Sequence, residues 1–214
     1  MKLPLALFVG LVFSALPLHA QENTPVPAPT EPQAAYFAGG CFWCMQYPFD
    51  RVKGVKKTVV GYMGGKPASP TYEQVSSGST GHAEAIQVFY DPNEVTYQQL
   101  LDVFWRNIDP TAVNRQFADR GTQYRTAIFY RDDKEKAAAE ASKTALEKSG
   151  KFDKPIATQI VAAAPFYAAE DYHQAYYRKN PEHFERYEVG SGRAGYIKRT
   201  WGEEAHPTSS PSKP

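Results

Sequence analysis

The sequence has 214 residues, a formal charge of +1 and no basic block or stripe, so it holds one good-sized domain and lacks the electrostatic footprint of a nucleic-acid binder. Apolar residues make up 42% and charged residues 22%, the proportions of an ordinary globular chain. Aromatic content is high, with 14 Tyr, 12 Phe and 3 Trp, which suits a core and also a pocket for a small apolar group.

Met1-Lys2 gives a positive start, Leu3 to Leu16 is almost wholly apolar, and Ser14 to Ala20 supplies small residues and a helix breaker. This pattern reads as a secretory signal peptide over 1–20, cleaved after Ala20, and the run falls short of the roughly 18 apolar residues a membrane anchor needs. The expectation is an exported protein, periplasmic or secreted and without a stable membrane anchor. Loss of Lys2 leaves 23 basic against 23 acidic residues, a formally neutral mature chain. Residues 21–33, rich in Pro, Thr, Glu and Asn, read as a flexible linker. The domain is expected over 34–200, and the Pro/Ser-rich residues 201–214 read as a disordered tail.

Ala34 to Ala38 is a short apolar run ending at Gly39-Gly40 and reads as a buried strand. The segment after it, Met45 to Val52, reads as a helix. Val55 to Met63 is rich in Val and Thr and stops at Gly64-Gly65-Lys66-Pro67, a second strand and a turn. Ser69 to Val75 reads as a helical turn, followed by a loop over Ser76 to Gly81. His82 to Tyr90 reads as a strand in which Glu84, Ile86, Val88 and Tyr90 share one parity and therefore one face.

The clearest helix is Tyr97 to Ile108. Thr96 and Gln99 form a capping box, Val95 and Leu100 sit at the staple positions, and an apolar stripe from Tyr97 to Ile108 marks a core face. Asn114 to Gln123 is polar and irregular, and Tyr124 to Tyr130 reads as a strand. Asp132 with Glu135 predicts a second capping box on a helix that runs to Ser149 and stops at Gly150. Ile156 to Ala163 reads as a further strand, and Ala168 to Asn180 as a helix ended by Pro181. Beyond Gly190 the chain is basic and aromatic. Strands and helices alternate irregularly, which predicts one α+β or α/β domain, a sheet covered by helices.

Gly39-Gly40-Cys41-Phe42-Trp43-Cys44 holds both cysteines of the chain. Two cysteines three positions apart close almost no loop, so they make a poor structural staple and a better reversible dithiol. A helix N-terminus beside Cys41 favours its thiolate, and a sulfur at i+3 can attack whatever forms on Cys41. A metal half-site and a pair of inert core thiols are the other readings. Zinc wants about four ligands, and the histidines after the signal, His82, His173, His183 and His206, form no close pair. Cys-X-X-Cys alone fits thiol–disulfide exchange as well as peroxide or sulfoxide chemistry. The bulky Phe42-Trp43 between the thiols favours an enzyme that grips a methyl or thioether beside a thiol.

Gly40-Cys41-Phe42-Trp43 resembles the start of the peptide methionine sulfoxide reductase A family. The likeness continues through Pro70-Thr71-Tyr72-Glu73-Gln74-Val75, Gly81-His82-Ala83-Glu84-Ala85, Tyr90-Asp91-Pro92, Phe104-Trp105, Asp109-Pro110-Thr111, Gly121-Thr122-Gln123-Tyr124-Arg125, Ala169 to Gln174 and Tyr177 to Pro181, in family order. The resemblance implies an α+β sandwich related to the ferredoxin-like class, a mixed sheet covered by helices. It implies reduction of the S-epimer of methionine sulfoxide, free or in proteins, without a cofactor, as repair of oxidative damage. By resemblance Cys41 is the nucleophile, and Phe42 and Trp43 are walls for the substrate methyl. Glu84 is the acid, Tyr72 and Tyr124 are donors to the sulfoxide oxygen, and Asp119 is a further polar member. A monomer recycled by a thioredoxin-like reductant is expected.

The chemistry of the residues agrees. A sulfoxide oxygen leaves sulfur only when protonated or hydrogen-bonded, and a carboxyl donates only when neutral. Glu84 on an apolar strand face would be held neutral by desolvation. Taken singly, Tyr72 and Tyr124 could be ordinary half-buried tyrosines, Glu84 could pair with Arg125, and Asp119 could be a loop residue or a cap. Two departures from the common family pattern stand out. Cys44 occupies a place often held by Gly, and Ser76 stands where a recycling cysteine often sits, so Cys44 is the resolving candidate. A thioredoxin-like disulfide exchanger and a non-enzymatic binder of methionine-rich peptides are the competing readings.

Overall fold

The computed structural model describes residues 32–202. The signal peptide expected over 1–20, nearly all of the linker and the tail from 203 onward lie outside the described residues. The order of elements begins with strand β1 (Gln33–Gly39), helix α1 (Phe42–Phe49), β2 (Val55–Met63), the short α2 (Tyr72–Ser76) and β3 (Ala83–Tyr90). Helix α3 (Tyr97–Arg106), a two-residue hairpin of β4 (Arg115–Gln116) and β5 (Asp119–Arg120), a single 3-10 turn (Thr122–Tyr124) and β6 (Thr126–Tyr130) follow. The chain ends in α4 (Asp133–Lys148), β7 (Gln159–Ala162), β8 (Tyr167–Ala168), α5 (Tyr176–Lys179), α6 (Pro181–Gly190) and α7 (Arg193–Trp201).

Six strands form one sheet in the order β7-β6-β1-β3-β2-β8. The β1, β3, β2 and β6 pairings are antiparallel, with Phe37 opposite Ile86, Val60 opposite Ile86 and Phe37 opposite Ile128. β7 alone joins in parallel, beside β6. The inner strands with α1 and α3 make a β-α-β-β-α-β unit, the ferredoxin-like arrangement, in a mixed sheet, so the expected α+β class is the one found.

Strand alternation divides the core. Ala35, Phe37, Ile86, Val88, Tyr90 and Ile128 face the helices and meet Met45, Phe49, Leu100, Leu101, Phe104 and Ala139. Phe37 is stacked between Phe49 and Phe104, each at 5.2 Å between ring centres. The opposite face is smaller, with Ala38, Ala83, Ala85, Met63 and Phe129 closed by Ala163, Ala164 and Phe166. Glu84 has the parity of the helix-facing residues, so the sheet delivers its carboxyl towards α1.

Both boxes at Thr71/Gln74 and Thr96/Gln99 are closed reciprocally. The box expected at Asp132 is half made. Asp132 accepts from the Glu135 N–H at 2.9 Å, but the Glu135 carboxylate turns to Arg131, accepting from its backbone N–H at 2.8 Å and from its guanidinium. A charge-assisted fork on Arg131 is stronger than a single bond to the cap amide.

The helix expected over 168–180 is a correction. Tyr167–Ala168 is an edge strand, only Tyr176–Lys179 is helical, and Pro181 opens the next helix rather than ending one. Tertiary hydrogen bonds hold the intervening segment open. The Gln174 side chain accepts from Val60 N–H at 3.0 Å and donates to Val60 O and Ala169 O, while Ala175 N–H donates to the Gln46 side chain. Proline at the first helical position loses no helical bond.

Candidate active site

Cys41 is the N-cap of α1, and its carbonyl accepts from the N–H groups of Cys44 (3.1 Å) and Met45 (3.3 Å). The helix therefore starts three residues before the expected Met45 and carries Cys44 in its first turn. The glycines before it are required by contact. A Cβ on Gly39 would meet Met45 Sδ at 2.5 Å, and one on Gly40, whose φ is +80°, would meet Gln116 Cβ at 2.4 Å. The pair lets the turn sink between α1 and the β4–β5 hairpin. Cys41 and Cys44 are both free thiols and both buried. They lie with Phe184 beneath Trp43, Tyr47, Tyr176, Tyr177 and Tyr187.

The amide of Phe42, the first free donor of the helix, goes to Glu84 Oε2 at 2.9 Å. Glu84 Oε1 makes no hydrogen bond among the described residues. Burial, and then the Cys41 sulfur, push the Glu84 carboxyl well above the ordinary range against the pull of the Phe42 amide, which favours its neutral form, in the direction its strand face predicts. Arg125 is not its partner, since that guanidinium donates to Thr122 O and Gly81 O.

Tyr72 stands at the start of α2, anchored by its backbone N–H on Glu170 at 2.8 Å. Tyr124 closes the 3-10 turn rather than lying in the strand read for it. Neither phenol hydroxyl has a hydrogen-bond partner among the described residues, and each interacts electrostatically with both Glu84 and Cys41. Burial pushes Tyr72 up to about 12 and Tyr124 upward too, which keeps both as donors. The Glu84 carboxyl and the two phenols thus all interact electrostatically with the one sulfur of Cys41.

The Cys41 thiol departs from the helix-terminus expectation. Burial, followed by the hydrogen bond with Cys44 and the charge of Asp119, raises it well above the ordinary thiol range, and only Arg193 pulls it down. Desolvation outweighs the helix end, and the Cys41 side chain accepts no hydrogen bond from the helix amides. Asp119, on β5, accepts from the Tyr187 hydroxyl at 2.5 Å. Burial raises its carboxyl, and Tyr187 and Arg193 oppose the rise.

Phe42 is almost wholly covered, against Tyr62 and His173. Trp43 lies flat on Tyr176, 3.8 Å between ring centres at 7°, and meets Tyr187 edge-on at 6.0 Å. Its indole N–H donates to His173 Nδ1 at 3.1 Å. Ser76 caps its own turn by donating to Tyr72 O at 2.6 Å. The structure brings Cys41, Cys44, Glu84, Asp119, Tyr72, Tyr124, Phe42 and Trp43 together. It adds Tyr176, Tyr187, His173, Glu170 and Arg193, to which sequence reasoning gave no role at the site. The signal for α6 was present, as Pro181 with Glu182 in the first turn.

A family model described as peptide methionine sulfoxide reductase matches residues 33–205. The chain belongs to the peptide methionine sulfoxide reductase family. It is 56% identical over 170 residues to the peptide methionine sulfoxide reductase MsrA of Bacillus subtilis, covering 79% of this chain and 96% of that one. It is 52% identical over 169 residues to the MsrA of Listeria monocytogenes, covering 79% and 96%. Among solved structures, the reduced form of Mxr1 from Saccharomyces cerevisiae superposes with a TM-score of 0.65 at 36% identity, covering 72% of this chain and 89% of that one. Methionine sulfoxide reductase A of Corynebacterium diphtheriae superposes with a TM-score of 0.63 at 34% identity, covering 71% and 76%. This methionine sulfoxide reductase is an oxidoreductase, a peptide-methionine (S)-S-oxide reductase.

Proposed function

We propose that Cys41 is the nucleophile of this reductase, Glu84 its acid, Tyr72 and Tyr124 its oxygen-binding donors and Cys44 its resolving thiol. The observation that supports this best is the sharing of one turn. Glu84 is bonded to the amide directly after Cys41, so the acid and the sulfur are held in register by a single peptide unit. The sulfoxide oxygen sits among Glu84 Oε1 and the two hydroxyls, and its positive sulfur faces Cys41. Cys41 attacks that sulfur, Glu84 protonates the departing oxygen, and Glu84 regains the proton that the thiol gives up. The protonated oxygen then passes from the substrate sulfur to Cys41 Sγ as the transient sulfur–sulfur bond and the S–O bond break, leaving Cys41 as sulfenic acid and releasing methionine. Cys44 then displaces water to form the Cys41–Cys44 disulfide, and an external dithiol reduces it by exchange. Phe42 backs the methyl site and Trp43 walls it. Asp119, held by Tyr187, supplies the remaining negative end of the site.

The external dithiol is a thioredoxin-like protein in this proposal. The N-terminal pattern supports a periplasmic or secreted enzyme, which calls for an exported reductant; we propose that it works as a monomer on oxidised proteins. A purified exported thioredoxin-like domain that leaves the disulfide intact would remove that part.

The test of the site is intact-protein mass spectrometry after one equivalent of the S-epimer. Wild type should lose two hydrogens, with Cys41 and Cys44 joined in one peptide. Cys41→Ala should stay unchanged and release no methionine. Methionine formed by Cys41→Ala, or a disulfide substrate reduced while the sulfoxide is ignored, would overturn the assignment.

A further inference from the structure

Arg193, the first residue of α7, is 1% exposed. Its guanidinium donates to Gly39 O at 2.9 Å and to Asn107 O, reaches Met45 Sδ at 3.6 Å, and lies 4.7 Å over the Phe117 ring. Every one of these partners is neutral. Among the described residues no carboxylate lies within ion-pair distance of it. A buried cation without a counter-ion is unfavourable and gains from any negative charge placed near it.

Two elements that carry the site are tied by this one side chain. A Cβ on Gly40 would lie 3.2 Å from Nη2, so the guanidinium rests against the residue before Cys41. Phe117, beneath it, occupies the turn between β4 and β5 with φ +53°, two residues before Asp119. The groups acting on Cys41 are Cys44 from α1, Glu84 from β3, Asp119 from β5, Tyr72 from α2, Tyr124 from the 3-10 turn, Tyr187 from α6 and Arg193. Arg193 is the one cation in that set; the others are acids or phenols, which are neutral or negative.

We propose that Arg193 is a positioning residue of the reaction: its unpaired guanidinium stabilises the Cys41 thiolate, and its hold on Gly39 fixes the turn that aims the sulfur. The proposal rests on Cys41 being the nucleophile. The Coulomb pull of Arg193 on both Cys41 and Asp119 agrees with it. When Cys41 loses its proton, the buried cation gains a negative charge besides that of Asp119.

The experiment uses the full chain with Cys44→Ser, which leaves Cys41 as its only thiol. Iodoacetamide alkylation of Cys41 is followed by mass from pH 6 to 10, alone and with Arg193→Gln, Arg193→Met or Arg193→Lys, with near-ultraviolet dichroism reporting the fold. The neutral variants should move the profile up by about one pH unit, a tenfold slower reaction at pH 7. Arg193→Lys should stay within about threefold of the parent. Neutral variants that fold and keep the parent profile would overturn the proposal, as would a Lys variant displaced as far as the Gln variant. Should both neutral variants lose the fold, the Lys variant decides: a retained profile supports the charge, a displaced one removes it. No sulfoxide is present in this measurement, so its failure leaves the nucleophile assignment, read by methionine release, untouched.

Discussion

The backbone N–H of Phe42 donates to Glu84 Oε2 at 2.9 Å, so the first free amide of the helix that Cys41 caps is taken by the Glu84 carboxyl. Burial then acts on both groups in the same direction. The Glu84 carboxyl is shifted towards its neutral form although an amide favours its charged form, because burial outweighs one hydrogen bond. Cys41 is pushed towards its thiol form although it caps a helix, because burial and the neighbouring Cys44 and Asp119 outweigh Arg193. Burial therefore shifts both groups towards their protonated forms.

Glu84→Gln should preserve the structure, because the amide oxygen still accepts from Phe42 and the NH2 group still faces the pocket. It cannot deliver a proton. The single-turnover rate should fall by about 10²–10⁴, the usual contribution of a general acid. The wild-type rate should decline as pH rises through the raised Glu84 pKa, and stopped-flow tryptophan fluorescence should find that decline absent from the variant. Stability also falls as pH rises. The native state binds more protons than the unfolded chain above pH ~4.3, so Glu84 lowers stability as pH rises. Glu84→Gln should therefore gain in thermal midpoint over wild type at pH 8 and lose that gain by pH 4.

Cys44→Ser should release one equivalent of methionine at close to the wild-type rate and then stop when a thioredoxin-like dithiol is the only reductant. The burst is read by quench-flow and the stall by steady-state assay. Ser76 cannot substitute, since it is bound to the Tyr72 carbonyl and has no thiol. Full steady-state turnover in Cys44→Ser would mean that the external dithiol attacks the sulfenic acid directly.

Tyr176→Leu should weaken substrate binding while leaving chemistry largely alone. The Tyr176 ring lies flat behind Trp43 at 3.8 Å, a stack worth about 0.5–1.5 kcal/mol beyond its buried area. Loss of that support frees the indole, and KM for a sulfoxide peptide should rise about two- to twelvefold with kcat changed less than twofold. A fall in kcat at constant KM would place Tyr176 in the chemical step instead.

The sheet and the central helix were legible because their signals are local. Alternation in Ala83–Tyr90 correctly put Glu84 on the helix-facing side, and Thr96 and Gln99 correctly placed the start of α3. The segment from Ala169 to Ala175 was illegible because Gln174 and Gln46 decide it, from positions 114 and 129 residues away from their partners in sequence. The same reach hid Arg193, whose role depends on carbonyls at Gly39 and Asn107. The lowered thiol pKa expected for Cys41 failed for a related reason, as desolvation is a property of the assembled site.

His173 should make the aromatic wall sensitive to acid. Its Nδ1 accepts from the Trp43 indole at 3.1 Å, which requires the neutral ring, and the proton then sits on Nε2, a buried atom without a partner among the described residues. Burial lowers the His173 pKa, with Glu170 and Glu73 opposing. As pH falls below about 6.5, the unfolded chain takes up a proton that the native ring refuses, so stability contributed by neutral His173 is lost on acidification. His173→Phe removes that titration. At pH 7.5 the variant should unfold at a lower temperature than wild type, since the indole loses a hydrogen bond worth about 1 kcal/mol. By pH 5 the gap should narrow, because wild type alone bears the cost of excluding the proton. Calorimetry at both pH values measures it, and a gap that stays constant or widens would show that His173 does not titrate in this range.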